Sequence, residues 1–356
     1  MSPFPRSPFP VSLFRLDRSF LLRHLAAIAL IAAGLGQARP AAAQGTEALT
    51  LYSGQHPQVV QMLTDEFTKE TGIAVRVHSG EGPDIANQIL REGKSSPADV
   101  VFVENSPELV LLAEHHLLAP VAPATLALVP EQDNGAKGLW LGVLARQNVL
   151  AWNPSLIREH DLPRSLLDLA SPAWKGKVAI APSDSDFLPL VGAVIHAEGE
   201  AKTLAWLKGL RANAKIYDDD EGVVASVNRG SVATGVINNY YWARLATELG
   251  ADKTHSRIAH FAPGDIGNLI NISGAAVLAS SRHQEAAQRF LAFLVGKTAQ
   301  EMLGKSSVDY EYPLAAGVAP NAMLTPYADL HPPAIAPSEL GDDQESAKLL
   351  QEAGLI

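Results

Sequence analysis

The chain contains no cysteine. That excludes disulfide staples, a thiolate metal site and a cysteine nucleophile, so any bound metal must be held by oxygen and nitrogen donors. Basic residues are in deficit, with 28 Lys and Arg against 38 Asp and Glu. An acidic surface argues against nucleic acid as a partner and is compatible with a cation. Beyond the N-terminal region no apolar run reaches the roughly 18 residues that a membrane-spanning helix needs. Internal repeats are missing, and so is any zinc-hydrolase signature such as His-Glu-x-x-His.

What is present reads as a globular chain: 356 residues with 47% apolar content, enough to build two domains. Residues 1–43 stand apart. Arg6, Arg15, Arg18 and Arg23 precede an apolar stretch from Leu25 to Leu35, and Ala41-Ala42-Ala43 follows. This is the order of a secretory signal peptide: basic region, apolar region, small-residue cleavage site. An exported chain starting near Gln44 is expected, with no lipid anchor because no Cys stands at the cleavage site. Setting aside residues 1–43, with five arginines and one aspartate, leaves 23 basic and 37 acidic residues and a formal charge of −14.

The remainder alternates strands and helices. Ala48–Gly54 reads as a strand, followed by a helix with its stripe at Val59, Val60, Leu63 and Phe67 that stops at Gly72. A second strand (Ile73–Val77), a helix (Asp84–Arg91), a buried strand (Ala98–Val103) and a helix (Pro107–Leu118) come next. This order points to a parallel sheet. His56 and Glu104 each sit just past the carboxyl end of a strand, where open sheets bind their ligands. Residues 138–152 form a long β-rich run, and 273–278 a second, so two α/β lobes joined by two crossing strands is the natural arrangement. An acidic loop, Asp184-Ser185-Asp186, leaves the strand at 177–181, and Asp218-Asp219-Asp220-Glu221 precedes another helix.

The most informative stretch is Val236–Arg244. A short apolar run stops at Asn238-Asn239, and Tyr240-Tyr241 then enters a helical pattern (Trp242, Leu245, Ala246, Leu249). Asn is a preferred N-cap. In a helical first turn neighbouring side chains diverge by only about 100°. Both phenol oxygens could therefore meet at one centre, which would suit a hard, highly charged cation. Aromatic packing of Tyr-Tyr-Trp is the plain alternative.

Tyr52-Ser53-Gly54-Gln55-His56, Ser96-Pro97-Ala98-Asp99-Val100 leading to Glu104, Ile237-Asn238-Asn239-Tyr240-Tyr241-Trp242, Ser273-Gly274-Ala275-Ala276-Val277 and Glu311-Tyr312-Pro313-Leu314 occur in this order. The set resembles the periplasmic ferric-ion-binding proteins, the bacterial transferrins among the class 1 extracellular solute-binding proteins of iron ABC transporters. The resemblance implies an α/β Venus-flytrap of type II with discontinuous Rossmann-like lobes. With the two crossing strands as hinge, the first lobe is expected at 44–148 and 273–323 and the second at 149–272 and 324–356. It also implies His56, Glu104, Tyr240 and Tyr241 as iron ligands, a periplasmic monomer rather than an enzyme, and delivery to an inner-membrane ABC permease.

The family also holds a synergistic anion, often phosphate or carbonate. Only Asn238 of that cradle is kept. Asp184-Ser185-Asp186 replaces the expected Ser-Gly-Ala loop, and Asp220 stands where an Asn is expected. Carboxylates repel phosphate at contact range. These acids are either solvated loop residues, or Asp184 or Asp220 replaces the anion as ligand or through water. Water alone could also fill the remaining positions.

Two phenolates and one carboxylate balance Fe³⁺, and neutral His56 adds a donor. Other ligands for the same fold are another metal, a ferric chelate, or a small organic or anionic solute. A secreted hydrolase using Asp184 and Asp186 is the remote alternative, since paired carboxylates also run hydrolysis.

Overall fold

The computed structural model describes residues 48–356, so the signal-peptide expectation for residues 1–43 lies outside the described residues. Strands β1 (Leu49–Gly54), β2 (Val75–Ser79) and β3 (Val100–Val103) alternate with helices α1 (Pro57–Thr71), α2 (Gly82–Glu92) and α3 (Ser106–Glu114). β1 pairs in parallel with both β2 and β3. Pro57 opens α1, where a missing N–H costs nothing. Gly72 closes it at φ 73, a left-handed conformation that a Cβ would disfavour. The predicted stripe of α1 is buried, and Phe67 meets Phe290 and Phe293 at 4.9 and 5.5 Å between ring centroids.

α3 is shorter than the sequence pattern suggests. It ends at Glu114, because His115 caps it and His116 turns left-handed at φ 58. Leu118 instead forms an isolated bridge to Leu278.

After the single turn α4 (Pro123–Leu126), the chain enters β4 (Leu141–Trp152), buried along its whole length. Then follow β5 (Val178–Ile180), α5 (Phe187–Glu198), α6 (Glu200–Asn213), β6 (Lys215–Ile216), α7 (Asp220–Asn228), β7 (Thr234–Asn238) and α8 (Asn239–Leu249). β8 (Arg257–Ala259), β9 (Ile270–Val277), α9 (Gln284–Leu294), α10 (Lys297–Gly304), β10 (Tyr312–Pro313) and α11 (Gln344–Glu352) complete the order.

One mixed sheet runs β2-β1-β3-β9-β4-β7-β5-β6. β4 links its two ends. Residues 141–147 pair antiparallel with β9, and residues 148–152 pair with β7. β9 in turn lies antiparallel to β3. Apolar side chains gather on either side of this junction. One core takes residues between Leu49 and Ala145 and between Ile272 and Leu330, and includes Tyr240 and Ala243. A second gathers residues from Leu150 to Leu355, among them Phe187, Leu207, Phe261 and Leu349, and a third surrounds Val149, Ala179, Val223 and Ile237. No helix among the described residues is long and apolar enough to cross a membrane.

Candidate metal centre

The exit of β1 is tight. A Cβ on Gly54 would lie 2.6 Å from the Cα of Gly82, so β1 and the start of α2 approach as closely as backbone allows. That glycine delivers Gln55 and His56 into the cleft at the head of α1. The His56 ring is steered from both sides. Nε2 lies 3.3 Å from Glu104 Oε1, at the exit of β3. The ring also meets the Tyr240 ring edge-on, with centroids 5.0 Å apart.

Tyr240 and Tyr241 open α8, with Asn238 in the N-cap position. Their rings lie 4.1 Å apart and the Arg244 guanidinium sits 5.5 Å from each centroid. All four predicted ligands, His56, Glu104, Tyr240 and Tyr241, thus come together. His56, Glu104 and Tyr241 line a cleft of ≈710 Å³, and Tyr240 is buried behind them.

The acidic loop sorts into distinct roles. Asp184 accepts the backbone N–H of Asp186 and of Asp220, both at 3.1 Å, and so is spent on shaping the loop. Asp220 accepts the N–H of Asn238 at 3.0 Å. Asp219 caps α7 by accepting from Gly222 N at 2.6 Å. Ser185 lines the cleft wall. Asp186 is the acid that reaches the tyrosines: its Oδ2 accepts from the Tyr240 hydroxyl at 2.9 Å. The Asn238 side chain is buried with neither polar atom hydrogen-bonded among the described residues.

Arg146, in the middle of β4, carries the opposing charge. It donates to Asp186 Oδ1 at 2.7 Å, to the Ser273 hydroxyl at 3.1 Å, and to the Glu104 carbonyl and Asn105 side chain. Glu311 lies 3.5 Å from it. The sequence reading missed Arg146, although a cation inside a twelve-residue buried strand is a signal that an acidic partner waits across the fold. Asp309, whose Oδ1 is 3.9 Å from His56 Nδ1, was also missed. Nothing local to Asp309 marks it. His56, Asp309 and Glu311 each place a ligand atom within 4.8 Å of the others.

Burial sets the protonation states. It pushes His56 down to about 4, with Arg244 and Arg146 adding to the effect against Asp186. Burial raises Glu104 well above its ordinary value, and the Asp186 charge adds to that. Both tyrosines are raised, first by burial and then by Asp186. Burial also pushes Asp186 upward, but the charge and hydrogen bond of Arg146 hold it below the usual carboxylate range. The cleft therefore presents Asp186 as an anion beside protonated phenols and a neutral imidazole, with Glu104 shifted toward its protonated form. This donor set is oxygen-rich, suited to a hard cation able to displace protons.

A profile of the family described as bacterial extracellular solute-binding protein matches residues 62–332. The chain is 39% identical over 333 residues to the Fe(3+)-binding periplasmic protein of Serratia marcescens, covering 93% of this chain and 98% of that one. It is similar to iron-bound HitA of Pseudomonas aeruginosa, with TM-score 0.81, 40% identity and coverage of 86% of this chain and 99% of the other. It also resembles a Trichodesmium protein (IdiA, FutA) in complex with iron and citrate, with TM-score 0.76, 29% identity and coverage of 86% and 99%.

Proposed function

This chain belongs to the bacterial extracellular solute-binding proteins, among the periplasmic ferric-ion-binding proteins, and from that premise we propose that His56, Glu104, Tyr240 and Tyr241 capture Fe³⁺ for delivery to an inner-membrane ABC permease. The observation that carries the reading is the meeting of His56 and Glu104, from two strand exits, with the tyrosine pair from a third. The division into lobes at 44–148 with 273–323 and 149–272 with 324–356 is part of the proposal. Closure about β4 and β9 would bring one half-site onto the other, and the ion favours the closed form through the contacts it gains there.

Asp186 is proposed as the auxiliary oxygen donor beside Tyr240, with Arg146 neutralising it. It would fill the place that the sequence resemblance gives to a synergistic anion. Asp184, Ser185, Asp220 and Asn238 shape the surroundings. The test is optical. Ferric salts added to the purified protein at neutral pH, with and without phosphate or carbonate, should produce a red-orange phenolate-to-iron charge-transfer band in both cases. Tyr241→Phe should weaken or shift that band. A protein that stays colourless sinks the iron reading, and colour only with added anion sinks the role of Asp186.

A ferric chelate is the second reading. The cleft of ≈710 Å³ exceeds what a bare ion fills, and the Trichodesmium relative is described with iron and citrate.

A further inference from the structure

His56 Nδ1 and Asp309 Oδ1 are both buried, and neither has a hydrogen-bond partner among the described residues. They lie 3.9 Å apart. The other ring nitrogen, Nε2, faces Glu104 on the cleft side. Two residues beyond Asp309, the Glu311 carboxylate is fully engaged: one oxygen accepts from Ser273 at 2.9 Å, the other from the Gln55 amide at 3.3 Å. Gln55 Oε1 in turn accepts the backbone N–H of His56 at 2.6 Å. The segment Asp309–Glu311 thus grips the His56 backbone through Glu311 and Gln55, and leaves Asp309 free to take the ring.

The structure assigns Asp309 as a positioning residue for His56: its carboxylate accepts the Nδ1–H of the metal-bound ring and so leaves the Nε2 lone pair for the ferric ion. This rests on the reading of His56 as a ferric ligand. A shift of about 1 Å brings Nδ1 and Oδ1 into hydrogen-bonding range. Metal-bound histidines almost always donate their second N–H to a carboxylate, carbonyl or water, because that bond fixes the tautomer and raises ligand basicity. Glu311 is less suited, since both its oxygens already accept from Ser273 and Gln55 while Asp309 Oδ1 accepts from nothing among the described residues.

Two measurements test this. In ¹⁵N-histidine-labelled wild-type protein loaded with diamagnetic Ga³⁺, His56 should carry its proton on Nδ1 with Nε2 bound to the ion. Metal on Nδ1, as a site built from His56, Asp309 and Glu311 would have it, overturns the assignment. Separately, Asp309→Ala should weaken ferric affinity about 10- to 100-fold and speed exchange of the Nδ1 proton. Asp309→Asn, whose amide oxygen still accepts, should restore most of the affinity. In a His56→Ala background the Asp309 substitution should cost almost nothing further. An equal loss in both backgrounds makes Asp309 merely structural and overturns the inference. If His56→Ala itself leaves affinity unchanged, the ligand assignment fails first and this one with it. Should Asp309→Ala not fold, the wild-type spectrum and Asp309→Asn decide.

Discussion

Arg146 and its partners show how charge is managed at a site that must stay acidic. The guanidinium is fully buried between Asp186 and Glu311. Removing one member of such a network leaves the others desolvated and unpaired, which costs about 3–5 kcal/mol. Arg146→Met should lower unfolding stability by that amount in urea titrations, far more than a surface Arg substitution. Protonation gives a second expectation. Tyr240 and Tyr241 are raised by burial and hold their protons near pH 7, while His56, pushed down to about 4, holds none; burial shifts Glu104 in the same direction as the tyrosines. Ferric loading should therefore expel at least the two phenol protons, and apparent affinity should fall as pH drops. Acid release on loading, measured against a Tyr240→Phe/Tyr241→Phe control, checks the count. The proposed ligands His56, Glu104 and Tyr240-Tyr241 could be picked out in the sequence because each stands at a strand exit next to a turn or cap signal. Arg146 left one trace, a cation inside an apolar run, but its partners lie far away in the chain, and Asp309 left none.

At the scale of elements, strands and helices were readable wherever a periodic stripe met a Gly, Pro or Asn boundary, as in α1 between Pro57 and Gly72. Ends failed where no such residue stands, as in α3, which stops at His115. The acidic run at 218–221 was read as a group. In the fold it divides into an N-cap, Asp219, and a buried carboxylate, Asp220. The start of α11 makes a prediction of its own. Asp343 sits there at φ 67 and is pushed up to about 8 by burial and then by Asp342. Its folded value exceeds its unfolded one, so the folded state binds the extra proton. Stability should be full below pH ~4 at this group and be lost as pH rises toward 8. Asp343→Asn, which tolerates the left-handed backbone, should flatten that part of the profile. Unfolding midpoints at pH 5 and pH 8 give the comparison.

For the whole molecule, ligand and stability are linked. If ferric ion binds only the folded chain, a free concentration 100 times Kd adds about 2.7 kcal/mol to unfolding. Thermal unfolding should therefore shift upward with iron and fall back when a chelator removes it. An unchanged midpoint would mean that the cleft does not hold the ion. The overall architecture was accessible from the sequence as two β-rich runs crossing between two alternating α/β regions. The single sheet that unites them was not, because strand pairing across β4 and β9 depends on contacts that no local pattern encodes.

That pairing also governs how the chain reaches its structure. Val100 of β3 finds its strand partner at Val277 of β9, and Leu141 of β4 finds Ala275. Closing so long a loop spends entropy before any contact repays it, and high contact order slows folding. Until β9 arrives, one edge of β3 stands unpaired, the kind of edge that recruits foreign strands. The first half therefore cannot complete itself while the second is still being made. The strand proposed as hinge should therefore also be a late step of assembly, and the interval before it docks is when aggregation is expected to compete most.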